Sequence, residues 1–263
     1  MLVLVGGTAG NVASGSLTTR GHQVRGLGCD ISKLDENLRD KLEHGIINAV
    51  NGAAEMLLDA HFILLRAAQR ADVRRFIAAT WNYDWRRIQL GDQESYDLKI
   101  PFHNHVELTS SMKPTYILSG VLAEVLLSVP GHGDFSPKNH VIRDPEGKSF
   151  EVWGTRREIW HWTTQRHAAD FAADIVRKDE TVEGGFCTVN LGENTLEEIA
   201  QVYEAVKGRK VQINKRGAVD ELRERALRAW KDGARQRFWE YIGWFYQLHT
   251  VGRNYVLSSL DND

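Results

Sequence analysis

Near the N-terminus the chain reads Leu4-Val5-Gly6-Gly7-Thr8-Ala9-Gly10-Asn11-Val12-Ala13. From Gly7 onward this is Gly-x-x-Gly-x-x-Ala, a spacing suited to a loop wrapped around a diphosphate. Gly7 permits a tight turn, Gly10 lets backbone approach the phosphates, and Ala13 lets the next helix pack closely on the strand. The amides of Asn11 and Val12 would stand at a helix N-terminus, where partial positive charge favours an anion, with Thr8 in the same cradle. The same spacing also serves a strand-to-helix turn that binds nothing. The ribose-reading position is open. The second apolar segment ends Val24-Arg25-Gly26-Leu27-Gly28-Cys29-Asp30, with Gly28 and Cys29 where an acidic residue or an arginine is usual. Arg25 either reaches a ribose 2′-phosphate or is a solvated strand residue, and Asp30 either binds a ribose or caps a helix from Ser32.

A second group of candidates is aromatic. Trp81-Asn82-Tyr83-Asp84-Trp85 directly follows a strand-like run, and ligands of open α/β sheets bind beyond the carboxyl ends of strands. Trp81, Tyr83 and Trp85 could form a floor for a flat substrate, or fill core beneath the loop. Thr80 could bond a ribose or substrate oxygen, or cap the strand end. In the tail, Phe238, Ile242, Phe245 and His249 form a core-like stripe at helical spacing. Trp239, Tyr241, Trp244 and Tyr246 cannot all join it, which leaves Trp244 and its neighbours for a pocket lid or a partner surface. Thr164 is placed to cap a helix from Gln165. The ten histidines are scattered without metal-ligand spacing, so no metal site is expected.

These residues need a scaffold, and 263 residues with 42% hydrophobic and 26% charged character suffice for a globular one. A net charge of −2 gives no electrostatic case for nucleic acid or an anionic membrane. The apolar start meets glycine too soon for a signal peptide or a membrane span. Two cysteines without metal or disulfide spacing fit a reducing, cytoplasmic setting.

The pattern along the chain predicts strands at 1–5, 23–28, 45–50, 73–80, 114–119, 149–154 and 187–191. Helices are predicted at 11–20, 32–44, 53–71, 104–111, 165–177 and 195–207, with a mostly helical tail over 220–249. The 53–71 helix carries Met56, Leu57, Ala60, Ile63, Leu64, Ala67, Ala68 and Ala71 as its apolar face. Thr195-Leu196-Glu197-Glu198 is a capping box. The proline- and glycine-rich stretch 129–147 reads as loop. Strands alternating with helices predict an α/β, doubly wound, Rossmann-like parallel sheet over 1–128. A smaller, mainly helical substrate region then covers 129–263, its strand 149–154 and helix 165–177 packing back on the sheet.

At this point "GGTAGNVASGSLTTRGHQVRGL" and "AAQRADVRRFIAATW" resemble the NmrA-like and isoflavone-reductase-like branch of the atypical short-chain dehydrogenases. "PTYILSGVLAEVLL", "HWTTQRHAADFAADIV" and "VNLGENTLEEIAQVYEAVKGRKV" extend the resemblance over almost the whole chain. It implies binding of NADP or NAD and reduction of aromatic or polyketide-like small molecules, often in secondary metabolism. Some members have lost catalysis and sense the cofactor. Three departures stand out. Counting back from Val106-Glu107, His103 holds the place of the family's catalytic lysine, and its ordinary pKa suits proton transfer. Tyr96 and Lys99 are one residue short of the classical tyrosine–lysine spacing, and Pro101 suggests that they lie in a loop. The chain is also short near His44-Gly45, as if one edge βα unit, most simply the third strand, were missing. That would leave the second strand as an open edge, available for pairing in a homodimer.

The resemblance therefore implies an NAD(P)H-dependent oxidoreductase with His103, Tyr83 and Lys99 as the catalytic candidates. A non-catalytic NAD(P)-sensing regulator or scaffold, and a non-redox isomerase or cyclase on the same fold, remain alternatives.

Overall fold

The computed structural model describes residues 2–6, 19–20, 23–27, 44–48, 54–129, 142–144, 148–233, 238 and 241–257. The expected phosphate loop, its helix, the 32–44 helix and Trp239 lie outside these residues.

The main sheet has six parallel strands, five from the first half of the chain and one from the second. β1 (Leu2–Gly6), β2 (Gln23–Leu27) and β3 (His44–Asn48) are followed by helix α1 (Ala54–Arg70) and the short β4 (Ile77–Ala78). Helix α2 (Lys99–Thr109) then leads to β5 (Thr115–Leu118). Next come β6 (Val121–Leu122), a single helical turn α3 (Ala123–Leu126), β7 (Arg143–Asp144), β8 (Ser149–Trp153) and β9 (Trp160–Thr163). Helix α4 (Gln165–Ile175) precedes β10 (Gly185–Thr188), the sixth strand of the main sheet. Its order is β10-β5-β4-β3-β1-β2. The chain leaves β1 toward β2 and then returns to the other side of β1 as β3. That reversal makes the carboxyl ends of β1 and β3, where Gly6 and Asn48 end their strands, the point at which the strand order changes direction. Among the described strands β2 is the outer edge.

Period-two alternation builds two cores on this sheet. Ile77 and Ile117 face α4, packing with Ala172, Ala173, Ile175 and Val176. Phe76, Ala78, Tyr116 and Leu118 face the opposite way, toward α1 and α2. Helices on both faces make the doubly wound architecture.

Helix α1 forms as expected and packs Leu64 and Ala68 of the expected face inward, but the rest of its buried stripe differs. His61, Leu65 and Ala68 are buried, with Leu58 and Phe62 packed beside them, while Ile63 is 65% exposed. The helix is apolar on several faces, so spacing alone left its buried face ambiguous; Phe102 of α2, 5.2 Å from both the His61 and Phe62 rings, selects it.

Two small sheets follow. One has the order β11-β9-β6, with β11 spanning Gly192–Asn194. The other is β12-β8-β7, and places a short strand at Arg143–Asp144 inside the expected loop. Helix α5 (Leu196–Lys207) opens with the capping box: Thr195 Oγ1 accepts from the Glu198 amide, and Glu198 accepts from the Thr195 amide. After β12 (Gln212–Gly217), helices α6 (Val219–Gly233) and α7 (Ile242–Val251) pack through Leu222 and Ala226 against Tyr241, Ile242, Phe245 and Leu248. The expected Ile242, Phe245 and His249 stripe is buried. Tyr241 is buried too, and Trp244 packs into the same clusters, so much of the surplus of rings builds a second core.

Candidate active site

The carboxyl ends of β4 and β5 are tied together by hydrogen bonds. Thr80 Oγ1 donates to the Ile117 carbonyl at 3.2 Å, and the Ser119 amide donates to the Asn82 carbonyl at 2.9 Å. Gly120, with φ +66°, turns the chain against β9 so closely that a Cβ would lie 2.3 Å from the His161 carbonyl oxygen. Only glycine combines that backbone conformation with that approach.

Thr80 is thus a buried strand-end tie, its hydroxyl proton already committed. Trp81 is partly buried against the α4 core. Tyr83 and Trp85 are 1% and 2% exposed, so they are core rather than an open floor. Tyr83 stacks on Tyr255 at 4.2 Å, and Tyr96 and Tyr246 close the same group. Asn82 Nδ2 donates to the Tyr246 hydroxyl at 3.4 Å, which docks α7 on the sheet's carboxyl end. Burial drives the phenols of Tyr83, Tyr96 and Tyr255 well above their ordinary pKa. All three stay neutral near pH 7.

Lys99 corrects a local expectation. It does not lie in a loop: α2 begins at Lys99, and Pro101 falls in the first turn, where a missing N–H costs little. Because α2 runs back antiparallel to the strands, its first residue stands toward their carboxyl ends. The Lys99 ammonium lies 4.9 Å from the centre of the Tyr96 ring. Among the described residues no carboxylate pairs with it, and burial brings its pKa down to about 8.

His103 sits one turn further along, about 6 Å down the helix axis. Its ring meets Tyr116 at 5.1 Å, Phe186 at 5.2 Å and Trp85 at 5.8 Å. Its Nδ1 is buried without a hydrogen-bond partner. Burial lowers its pKa, Glu107 opposes that, and Lys113 adds to it. His105 points away and is exposed, its ring 4.8 Å from Phe62. Thr164 caps α4 by accepting from the His167 amide.

Arg25 pairs in backbone register with Leu4 in the middle of β2. Gly7, Thr8, Gly10, Asn11 and Val12 lie outside the described residues. Trp244 packs between the α6–α7 core and the Trp153, Leu222 and Leu248 cluster.

The second half brings further side chains whose partners no spacing in the sequence shows. His161 is buried, with Nδ1 3.2 Å from Asn190 Nδ2 and 3.4 Å from a Glu193 carboxylate oxygen. Burial lowers its pKa while Glu193 opposes the shift. Tyr246 and Tyr255 join from the tail. The antiparallel register Glu193↔His161 places the carboxylate beside the imidazole, and no spacing in the sequence announces that pairing.

A family model described as the NmrA-like family matches residues 7–224. This chain belongs to the NmrA-like family. The solved structures agree on the fold of this NmrA-like protein. Leucoanthocyanidin reductase from Vitis vinifera, in a binary complex with NADPH, superposes with a TM-score of 0.74 at 17% identity, covering 98% of this chain and 90% of that one. Isoflavone reductase gives 0.69 at 13% identity, with coverage of 98% and 90%. AtPrR2 with NADP+ and (+)pinoresinol gives 0.68 at 17% identity, with coverage of 98% and 89%. No curated protein matches this chain by sequence. Among the described residues no helix is long and apolar enough to cross a membrane, and no cluster of side chains could hold a metal ion.

Proposed function

We propose that this NmrA-like protein is an NAD(P)H-dependent oxidoreductase of an aromatic small molecule, with Lys99 as its proton donor. The observation that carries the reading is an unpaired, partly buried amine at the carboxyl end of a doubly wound sheet. An amine with a pKa of about 8 is largely protonated at pH 7 and still gives up its proton readily. The NADP- and NADPH-bound neighbours support the cofactor class, and the pinoresinol complex supports an aromatic substrate.

A nicotinamide dinucleotide suits the chemistry of this end of the sheet. The strand order reverses between β1 and β3, the glycine motif follows Gly6 directly in sequence, and the Lys99 amine is an unused donor. Gly7, Thr8, Gly10, Asn11 and Val12 would hold the diphosphate and Arg25 the ribose side, while Thr80 keeps the ends of β4 and β5 together. When bound, the cofactor supplies a hydride. Lys99 Nζ delivers the proton to the substrate oxygen or carbon that gains electron density. Tyr96 holds the amine in place, the tyrosine group excludes water, and Trp81, Tyr83, Trp85 and Trp244 would contribute apolar surface from their separate clusters. The division at 1–128 and 129–263 follows the same logic: one part holds the cofactor, the other covers the substrate.

The test is tryptophan quenching by NADPH and NADH, followed by turnover on aromatic enones and ketones. Lys99→Met should lower kcat at least 100-fold with nucleotide Kd within about threefold, an effect of roughly 3 kcal/mol on the barrier. His103→Ala is the comparison. Its unpartnered Nδ1 makes it the second donor candidate, and a loss confined to that variant would move the role from Lys99 to His103.

A further inference from the structure

We propose that the C-terminal segment 241–257 is a cover latched over the carboxyl end of the sheet, and that acid loosens the latch through His249. The inference rests on the oxidoreductase reading for its purpose, which is control of access to that site, but the latch itself involves neither nucleotide nor turnover.

The latch is built on three consecutive residues. Asp92, Gln93 and Glu94 lie between β4 and α2, and each holds a different side chain of the cover. The Asp92 carbonyl lies 3.4 Å from His249 Nε2. Gln93 Oε1 accepts from the Tyr255 hydroxyl, and a Glu94 carboxylate oxygen accepts from the Tyr241 hydroxyl. The receiving segment is itself fixed. Asp92 Oδ2 accepts from the Gln89 amide at 2.9 Å, and Asp97 Oδ1 accepts from the Gly91 amide at 2.7 Å. On the inner side of the cover, the Tyr246 and Tyr255 rings lie 6.5 and 6.0 Å from the Tyr96 ring against which Lys99 rests. Releasing the segment would uncover that end of the sheet.

Of the side chains in the latch, only an imidazole changes charge near neutrality. A carbonyl only accepts, so the Asp92 contact requires a proton on His249 Nε2. Asn254 Nδ2 donates to Nδ1 at 2.8 Å, so Nδ1 must keep its lone pair. The turn that brings Asn254 there is closed by its own amide, which donates to the His249 carbonyl at 2.9 Å. The neutral ring alone satisfies both contacts. A second proton on Nδ1 would face the amide hydrogens of Asn254 in a ring that is only 6% exposed. Burial lowers the pKa of His249, the carbonyl and the carboxylate of Asp92 oppose that, and Arg223 of α6 adds to it. The Tyr255 ring, 5.6 Å away, is uncharged. A released imidazole titrates near its ordinary value of about 6.5 and the latched one lower. As pH falls through about 6.5, the open cover therefore binds the extra proton and gains population. At pH 5.5 the gain over pH 7.5 is at most about tenfold.

The experiment is hydrogen exchange of the intact chain by mass spectrometry at pH 7.5 and 5.5. Rates are expressed as protection factors, so that the intrinsic pH dependence of exchange cancels. At pH 7.5 α7 should be less protected than α4, because the cover opens without the sheet unfolding. From pH 7.5 to 5.5 its protection should fall by about five- to tenfold. His249→Gln keeps a donor for the Asp92 carbonyl and cannot titrate, so α7 protection should change by less than about twofold. Asn254→Asp gives the charged ring an acceptor and should abolish or reverse the fall. Equal protection of α7 and α4 overturns the proposal, as does a wild-type protection flat in pH or a fall that persists in either variant. Tryptophan quenching by NADPH is read on the same preparation. Quenching without the pH-dependent exchange sinks the latch alone, and the exchange pattern without quenching sinks the reductase alone.

Discussion

Gly120→Ala should destabilise the protein by about 2–5 kcal/mol, whereas Gly208→Ala should cost only about 1–2 kcal/mol. The two glycines share a backbone conformation, with φ of +66° and +62°. An L side chain in that left-handed region costs about 1–2 kcal/mol at either place. What differs is the space. At Gly208, the C-cap of α5, a Cβ meets nothing within 4 Å. At Gly120 it would stand 2.3 Å from the His161 carbonyl oxygen and 2.6 Å from its carbon. A close carbon–oxygen contact is about 3.3 Å, so one backbone must shift by about 1 Å. The obstructing atoms belong to β9, held between β6 and β11, and cannot rotate aside as a side chain would. Overpacking of this kind adds about 1–3 kcal/mol. Urea unfolding followed by tryptophan fluorescence measures both variants against wild type. At about 2–4 °C per kcal/mol for a chain of this size, Gly120→Ala should also melt visibly earlier than Gly208→Ala. Equal costs for the two substitutions would refute the claim that β9 is pressed against the end of β5.

The amine of Lys99 links stability to pH. Its folded pKa lies below the unfolded value, so between about pH 8 and 10 the unfolded chain binds more protons and stability should rise with pH. Lys99→Met should flatten that rise and be more stable than wild type at pH 7 by about 1–2 kcal/mol, read from urea midpoints; a midpoint shift of opposite sign would contradict the buried-amine assignment. Thr195→Ala removes the N-cap of α5 and should cost about 1 kcal/mol by the same assay, with Thr195→Ser close to wild type. Glu193→Gln takes away the charge that favours the protonated ring, so the His161 pKa should fall further, as measured by NMR titration. An unchanged titration would mean that the 3.4 Å contact is not maintained in solution.

Much of the scaffold was legible because it rests on local chemistry. The short apolar run that becomes β1, the Thr164 and Thr195 caps and the alternating strands and helices each depend on residues close in sequence. Periodicity at 242, 245 and 249 likewise marked a buried helix face. Where a helix offered several apolar faces, as in α1, periodicity could not choose, and contact with Phe102 did. The site divides along the same line. Lys99 was visible as a candidate, but Pro101 argued for a loop until the fold used that proline in a first helical turn. Tyr83 and Trp85 look like ligand-facing rings in sequence, yet Tyr255, 172 residues away, and Phe186 cover them. The Gly120–His161 approach and the His161–Glu193 pair come from strand registers set by the whole sheet. Short-range preferences are written in neighbouring residues. Which buried amine lacks a partner, and which ring stays open to a ligand, depends on segments far apart in the chain competing to pack.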